Sequence, residues 1–150
     1  MKILKPSLLL IVAALALFAC NSQKTGDQKT EDQKTEDQLS ETVAGDDIQV
    51  YYFHNTTRCA TCNAVEDETK MALEMFYSEK MEDGSIEFTS LNLEEEEGET
   101  MAESLEVSGQ TLLIVKGETM VNLTNEGFMN ARTNPTKFHE IIQTSIDELL

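Results

Sequence analysis

Arg58-Cys59-Ala60-Thr61-Cys62 is the stretch on which the reading of this chain turns. Upstream of it runs Ile48-Gln49-Val50-Tyr51-Tyr52-Phe53, rich in the β-branched and aromatic residues that fit a pleated strand. Downstream, Ala64, Val65, Ala72, Leu73 and Phe76 recur at helical spacing, with acids and Lys70 between them. That pattern predicts an amphipathic helix with those five residues as its apolar face. The cysteines thus fall where a strand gives way to a helix. There, unpaired backbone N–H groups and the helix dipole favour a thiolate. Two cysteines separated by two residues can close a disulfide across one turn and reopen it, which is the physical basis of a redox site.

The chain has 150 residues, enough for one domain with appendages, and its 40% hydrophobic content supplies a modest core. A net charge of −17 excludes nucleic-acid binding, which needs Lys and Arg against phosphate. The same charge keeps the body off anionic lipid. Membrane attachment must therefore come from the N-terminus. Lys2 and Lys5 precede an apolar run from Leu8 to Leu17, which ends in Leu17-Phe18-Ala19-Cys20. This run is shorter than the roughly 20 residues of a spanning helix, so residues 1–19 read as a signal peptide. The ending resembles a bacterial lipobox, whose cysteine is lipidated and becomes the first mature residue. The expectation is a lipid anchor on Cys20 in the cell envelope, facing the periplasm or exterior, where disulfides persist. An ordinary cleaved signal with an incidental Cys20 is the alternative. With Cys20 lipidated, Cys59 and Cys62 pair only with each other or with a partner protein.

Residues 23–37 hold a fivefold-spaced repeat of Gln-Lys-Thr with acids and no apolar side chain, so nothing offsets the entropy of ordering it. Residues 20–47 read as a solvated, low-complexity linker between anchor and domain. The domain, 48–150, opens with the strand and helix around the cysteines. Glu82-Asp83-Gly84 marks the helix end. Ile86, Phe88, Leu91 and Leu93 suggest a second strand. Met101, Ala102, Leu105 and Val107 give a helical face behind the acids Glu94 to Glu97, which suit a solvated helix start. Thr111-Leu112-Leu113-Ile114-Val115 reads as a central strand, and Met120 to Leu123 as its antiparallel neighbour across Lys116-Gly117-Glu118. Asn134-Pro135 opens a last helix with Phe138, Ile141, Ile142, Ile146 and Leu149 on one face.

Strand, helix, strand, helix, strand, strand, helix, with the cysteine pair at the first junction, resembles the thioredoxin fold. The class expected is α/β, a central mixed sheet flanked by helices. The resemblance implies that Cys59 is the exposed nucleophile and Cys62 the resolving thiol that releases a partner from a mixed disulfide. Arg58 places a positive charge beside Cys59, which favours thiolate. His54, at the end of the first strand, either shuttles a proton or faces solvent. His139 falls on the surface of the last helix and receives no role. Arg132, in the loop before that helix, is a candidate contact for an anionic substrate or partner. Thioredoxins place a cis-proline before the strand facing the pair; here Gln110 occupies that position, preceding Thr111, and a trans peptide is expected. Gln110 and Thr111 are therefore candidate partner contacts. Neither Tyr52 nor Phe53 supplies the buried acid that assists the resolving cysteine in thioredoxin.

Tyr52-Phe53-His54, the cysteine stretch with Glu66, and Ala131-Arg132-Thr133-Asn134-Pro135 also resemble the thioredoxin-like proteins of the nitrophenyl compound nitroreductase subunit ArsF family. That resemblance implies an accessory redox or electron-transfer component associated with arsenic resistance. No flavin or nicotinamide motif is recognisable, so no cofactor is expected. The leading expectation is a lipid-anchored thiol–disulfide oxidoreductase acting on a disulfide or dithiol partner protein. Three alternatives stand beside it: a static structural disulfide, a module binding a soft metal or arsenite through the same thiolates, and an inactive interaction domain.

Overall fold

The computed structural model describes residues 45–150. The signal peptide, Cys20 and nearly all of the 20–47 linker lie outside the described residues. β1 (Ile48–His54) is buried along almost its whole length and lies inside a four-stranded sheet of order β2-β1-β3-β4. β2 (Ile86–Asn92) runs parallel to β1, with Val50 beside Phe88. β3 (Thr111–Lys116) runs antiparallel on the other side, with Tyr52 beside Leu112, and β4 (Thr119–Asn122) extends it antiparallel. Burial on both faces explains why β1 and β3 read as near-continuous apolar runs.

Successive side chains of β1 enter two different cores, as a period of two requires. Val50 and Tyr52 join Val65, Leu73, Phe138 and Ile142 beneath α1 (Ala60–Glu82) and α4 (Pro135–Asp147). Tyr51 and Phe53 join Leu91, Met101, Leu105 and Leu113 beneath α2 (Glu96–Ser104) on the opposite face. The sheet is thus mixed and covered by helices on both sides. α4 begins as its sequence demands: Asn134 caps it by accepting from the Lys137 N–H, and Pro135 fills the first turn.

Four expectations change. A short helix, α3 (Thr124–Asn130), stands between β4 and α4; its Gly127 leaves room for Val65 and Phe138, which a Cβ would meet at 3.1–3.3 Å. Val107 does not continue α2, because the chain leaves the helix at Glu106, whose φ is 54°. Phe76 was expected on the apolar face of α1 but is 37% exposed. Tyr77, four residues after Leu73 and with a non-helical backbone (φ −134°, ψ 24°), enters the core instead. His139 is only 8% exposed rather than on the surface, and its Nε2 lies 2.7 Å from Glu68 Oε2, bridging α4 to α1.

Candidate redox site

Cys59 is the N-cap of α1, with extended backbone (φ −81°, ψ 166°), and its Sγ accepts the Cys62 N–H at 3.2 Å. The cap places that sulfur against the orphan donors of the helix start, where negative charge is stabilised. Cys59 and Cys62 form a disulfide across the first turn, with Cα atoms 5.1 Å apart. The two sulfurs are unequal. Cys59 is exposed, while Cys62 is 3% exposed, so an incoming group meets Cys59 first. Tyr52 anchors the turn from below: its hydroxyl donates to the Cys62 carbonyl at 3.0 Å.

The charge next to the pair is not free. Arg58 turns away into an ion pair with Glu66, and its guanidinium lies 5.5 Å from the centre of the Tyr52 ring. Lys70 Nζ holds the other Glu66 oxygen at 2.6 Å. Glu66, 8% exposed, is a buried acid one turn beyond Cys62, supplied by α1 rather than by β1. Burial alone would raise its pKa, but hydrogen bonds from Lys70 and Arg58 outweigh that and hold it below the usual carboxylate value. The Tyr52 phenol is pushed up by burial, against a smaller opposing effect of Arg58.

From the β3 side, Gln110 Oε1 approaches Cys62 Sγ to 3.4 Å. No peptide bond among the described residues is cis, so the chain passes Gln110 in the trans form. Gly109 precedes it at φ 88°, a conformation that suits glycine. Thr111 is buried, and its hydroxyl donates back to the Gly109 carbonyl at 3.1 Å, so it braces the loop. His54 stacks obliquely on Tyr52 at 5.9 Å and lies 3.0 Å from the Asn55 carbonyl through Nδ1. Among the described residues no hydrogen bond joins His54 to either cysteine. Arg132 is exposed between α3 and α4, with no hydrogen bond to the pair. The structure therefore brings Cys59, Cys62 and Gln110 together, sets Arg58 beside them on Glu66, and leaves His54 and Arg132 without a bond to the sulfurs. Among the described residues no group of three or more His, Cys, Asp or Glu could hold a metal ion.

The Glu66–Lys70 half of the ionic cluster had a signal in the sequence, an i,i+4 acid–base pair. The Arg58 half had none, because the chain must turn into α1 before Arg58 and Glu66 meet. The contact of Gln110 with Cys62 likewise exists only once β3 lies beside β1.

No family model matches this sequence, and no curated protein does. Among solved structures, thioredoxin O2 from Arabidopsis thaliana in its oxidized state superposes with a TM-score of 0.50 at 14% identity, over 71% of this chain and 83% of that one. Trxlp from Edwardsiella tarda matches with a TM-score of 0.50 at 14% identity, over 73% and 94%. Likeness at this identity establishes the architecture: the domain has a thioredoxin-like fold.

Proposed function

We propose that this thioredoxin-like domain is a thiol–disulfide oxidoreductase whose partner is a protein disulfide or dithiol. The observation that carries the reading is the inequality of the two sulfurs, an exposed Cys59 capping a helix and a buried Cys62 behind it. In the reducing direction the Cys59 thiolate attacks one partner sulfur. The partner S–S bond breaks, a mixed disulfide forms, and the first partner thiolate leaves and takes a proton from water. Cys62, having given its proton to water, then attacks Cys59 Sγ as thiolate, closes the Cys59–Cys62 bond and expels the second partner thiolate, which likewise takes a proton from water. Two electrons and two protons reach the partner, and the same steps reversed oxidise a dithiol. In the test, Cys62→Ser should trap a partner or small aromatic disulfide on Cys59, while Cys59→Ser traps none and loses turnover. Equal trapping by both variants would overturn the assignment of roles.

The setting we propose is the cell envelope, with the domain tethered through a lipid on Cys20 and serving as an accessory component to arsenical or nitroaromatic handling. The support is the sequence of residues 1–20 and the motifs around Tyr52, Cys59 and Arg132. Labelling with a radioactive fatty acid should mark the wild-type chain and spare Cys20→Ser; an unlabelled wild type would remove the anchor. The soft-ion alternative has only the two sulfurs, since His54 is joined to neither, and we do not favour it.

A further inference from the structure

The side chain of Gln110 has no part in the steps above, yet it approaches the resolving sulfur to 3.4 Å. In the disulfide Cys62 Sγ bears no proton, so this is a close approach of an amide to a sulfur and not a hydrogen bond. Reduction changes that. The freed sulfur becomes either a thiol, whose proton Oε1 can accept, or a thiolate, which needs a donor. A Gln amide offers both, because a half-turn of its terminal group exchanges Oε1 for Nε2–H at the same place. Among the described residues the amide makes no other hydrogen bond, so that turn breaks none. A proline at this position would supply neither group.

We propose that the Gln110 amide is a catalytic hydrogen-bond partner of Cys62, donating Nε2–H to its thiolate as that sulfur attacks the mixed disulfide at Cys59. The inference rests on the thiol–disulfide reading above and names the group that activates its second step. The direction of the effect follows from hydrogen-bond strengths. A bond to an ionised acceptor is roughly twice as strong as one between neutral groups, so the amide favours thiolate over thiol. Burial of Cys62 pulls the other way, disfavouring charge on sulfur. Of the groups that touch Cys62, Cys59 and Tyr52 titrate, and Tyr52 is spent on the Cys62 carbonyl. The charges on α1 and just before it, Arg58, Glu66 and Lys70, pair among themselves. From the β3 side, the side chain that comes within hydrogen-bond distance of Cys62 among the described residues is the uncharged Gln110. The amide is thus the neutral donor available to the buried sulfur where the β3 side meets it.

A tenfold gain in acid dissociation raises the thiolate fraction about tenfold at pH values below the pKa. Nucleophilicity falls with basicity at a slope of about 0.4–0.5, so roughly threefold is given back. A gain of about threefold in the rate of the second step is left. The bond order balances as before: Cys62 Sγ supplies the electron pair that forms the intramolecular S–S bond, the mixed disulfide breaks, and the partner sulfur leaves with the pair from that bond. Gln110 keeps its protons throughout.

The test uses the full chain in a Cys20→Ser background, reduced and mixed with one equivalent of an aromatic disulfide that releases a coloured thiolate. Attack by Cys59 gives a first burst of colour and resolution by Cys62 a second. With Gln110→Met, the second phase should slow about threefold at pH 7 relative to the first, and its pH midpoint should move up by about one unit. Gln110→Glu keeps the volume but sets a carboxylate against the thiolate, and should slow the second phase at least tenfold. A second phase unchanged or faster in both variants overturns the role of Gln110. If Gln110→Met fails to keep the native circular dichroism, Gln110→Glu decides the matter alone by the same criterion. Absence of any second phase in the wild type would instead refute the redox reading itself, so the two failures are told apart.

Discussion

Gly98→Ala separates a local preference from a tertiary constraint, because the two predict opposite signs. Gly98 sits in the first turn of α2, buried, with the Asn92 backbone pressed against it. In an exposed helix the substitution stabilises by about 1 kcal/mol, since alanine is the better helix former. Here a Cβ would overlap the Asn92 carbonyl oxygen and lie 2.5 Å from its carbon, where ordinary contact begins at 3.4 Å. That shortfall of about 0.9 Å is against backbone, so α2 or the end of β2 must move. Overpacking of this kind costs about 3 kcal/mol, the upper part of the usual range, which leaves a net loss of about 2 kcal/mol. For a domain of this size the melting temperature should fall by roughly 8–16 °C, and the urea midpoint by about 1 M. The disturbance also reaches the cysteine loop. Asn92 Nδ2 donates to Thr56 Oγ1 at 3.0 Å, and the Leu93 N–H to the His54 carbonyl at 2.8 Å. Urea titration followed by circular dichroism is the assay. An unchanged or raised midpoint would refute the close approach of α2 to β2.

Two further outcomes follow from the charged and phenolic groups. Glu66→Gln should cost about 1–2 kcal/mol at pH 7, because two cations lose a largely buried partner. The Glu66 pKa is lowered in the fold, so its contribution is complete above the ordinary value of 4.5 and disappears as pH falls through the lowered one. The stability difference between wild type and variant should therefore close in acid; a gap that persists at pH 2 contradicts the ion pair. Tyr77 donates to Asp147 Oδ1 at 2.6 Å and reaches the Gln143 carbonyl at 3.0 Å, and Tyr77→Phe should cost about 1–2 kcal/mol in urea unfolding. Burial first, then Asp147, raises the phenol pKa well above 10. Its contribution is therefore complete below pH 10 and lost as pH climbs through the raised value. The wild type should lose stability in strong alkali more steeply than the Phe variant, and identical alkaline curves would contradict this.

The parts of the fold readable from the sequence are those with a local cause. β1 and β3 are continuous apolar runs because both of their faces are covered, and α4 starts at Asn134-Pro135 because a cap and a fixed φ place it there. The cysteines at the head of α1 are local in the same sense. What escaped the sequence depends on distant contacts. α3 has seven residues with a glycine at its centre and no apolar period, and it is held by Val65 and Phe138. Periodicity allows both Phe76 and Tyr77 on the face that carries Leu73, three and four residues on, and only the assembled fold, in which Tyr77 bonds Asp147 of α4, decides that Tyr77 is the buried one. His139 and Glu66 are polar residues that periodicity sends to solvent; each is buried because a partner from elsewhere in the fold satisfies it. At the site itself the cysteines were legible, whereas the hold of Glu66 on Arg58 and the approach of Gln110 to Cys62 required the sheet to be assembled.

The central claim is that the Cys59–Cys62 bond exchanges. Its most direct test is the reduction potential of the pair, measured by equilibrating the full chain, in the Cys20→Ser background, against glutathione and dithiothreitol buffers and quantifying free thiols. Oxidoreductases of this architecture lie between roughly −270 and −120 mV, and the account predicts a value inside that window. Its place within the window shows whether the pair is built to donate or to accept electrons. A value below about −300 mV would mean a bond made to persist, and the exchange chemistry assigned to Cys59 and Cys62 would be wrong.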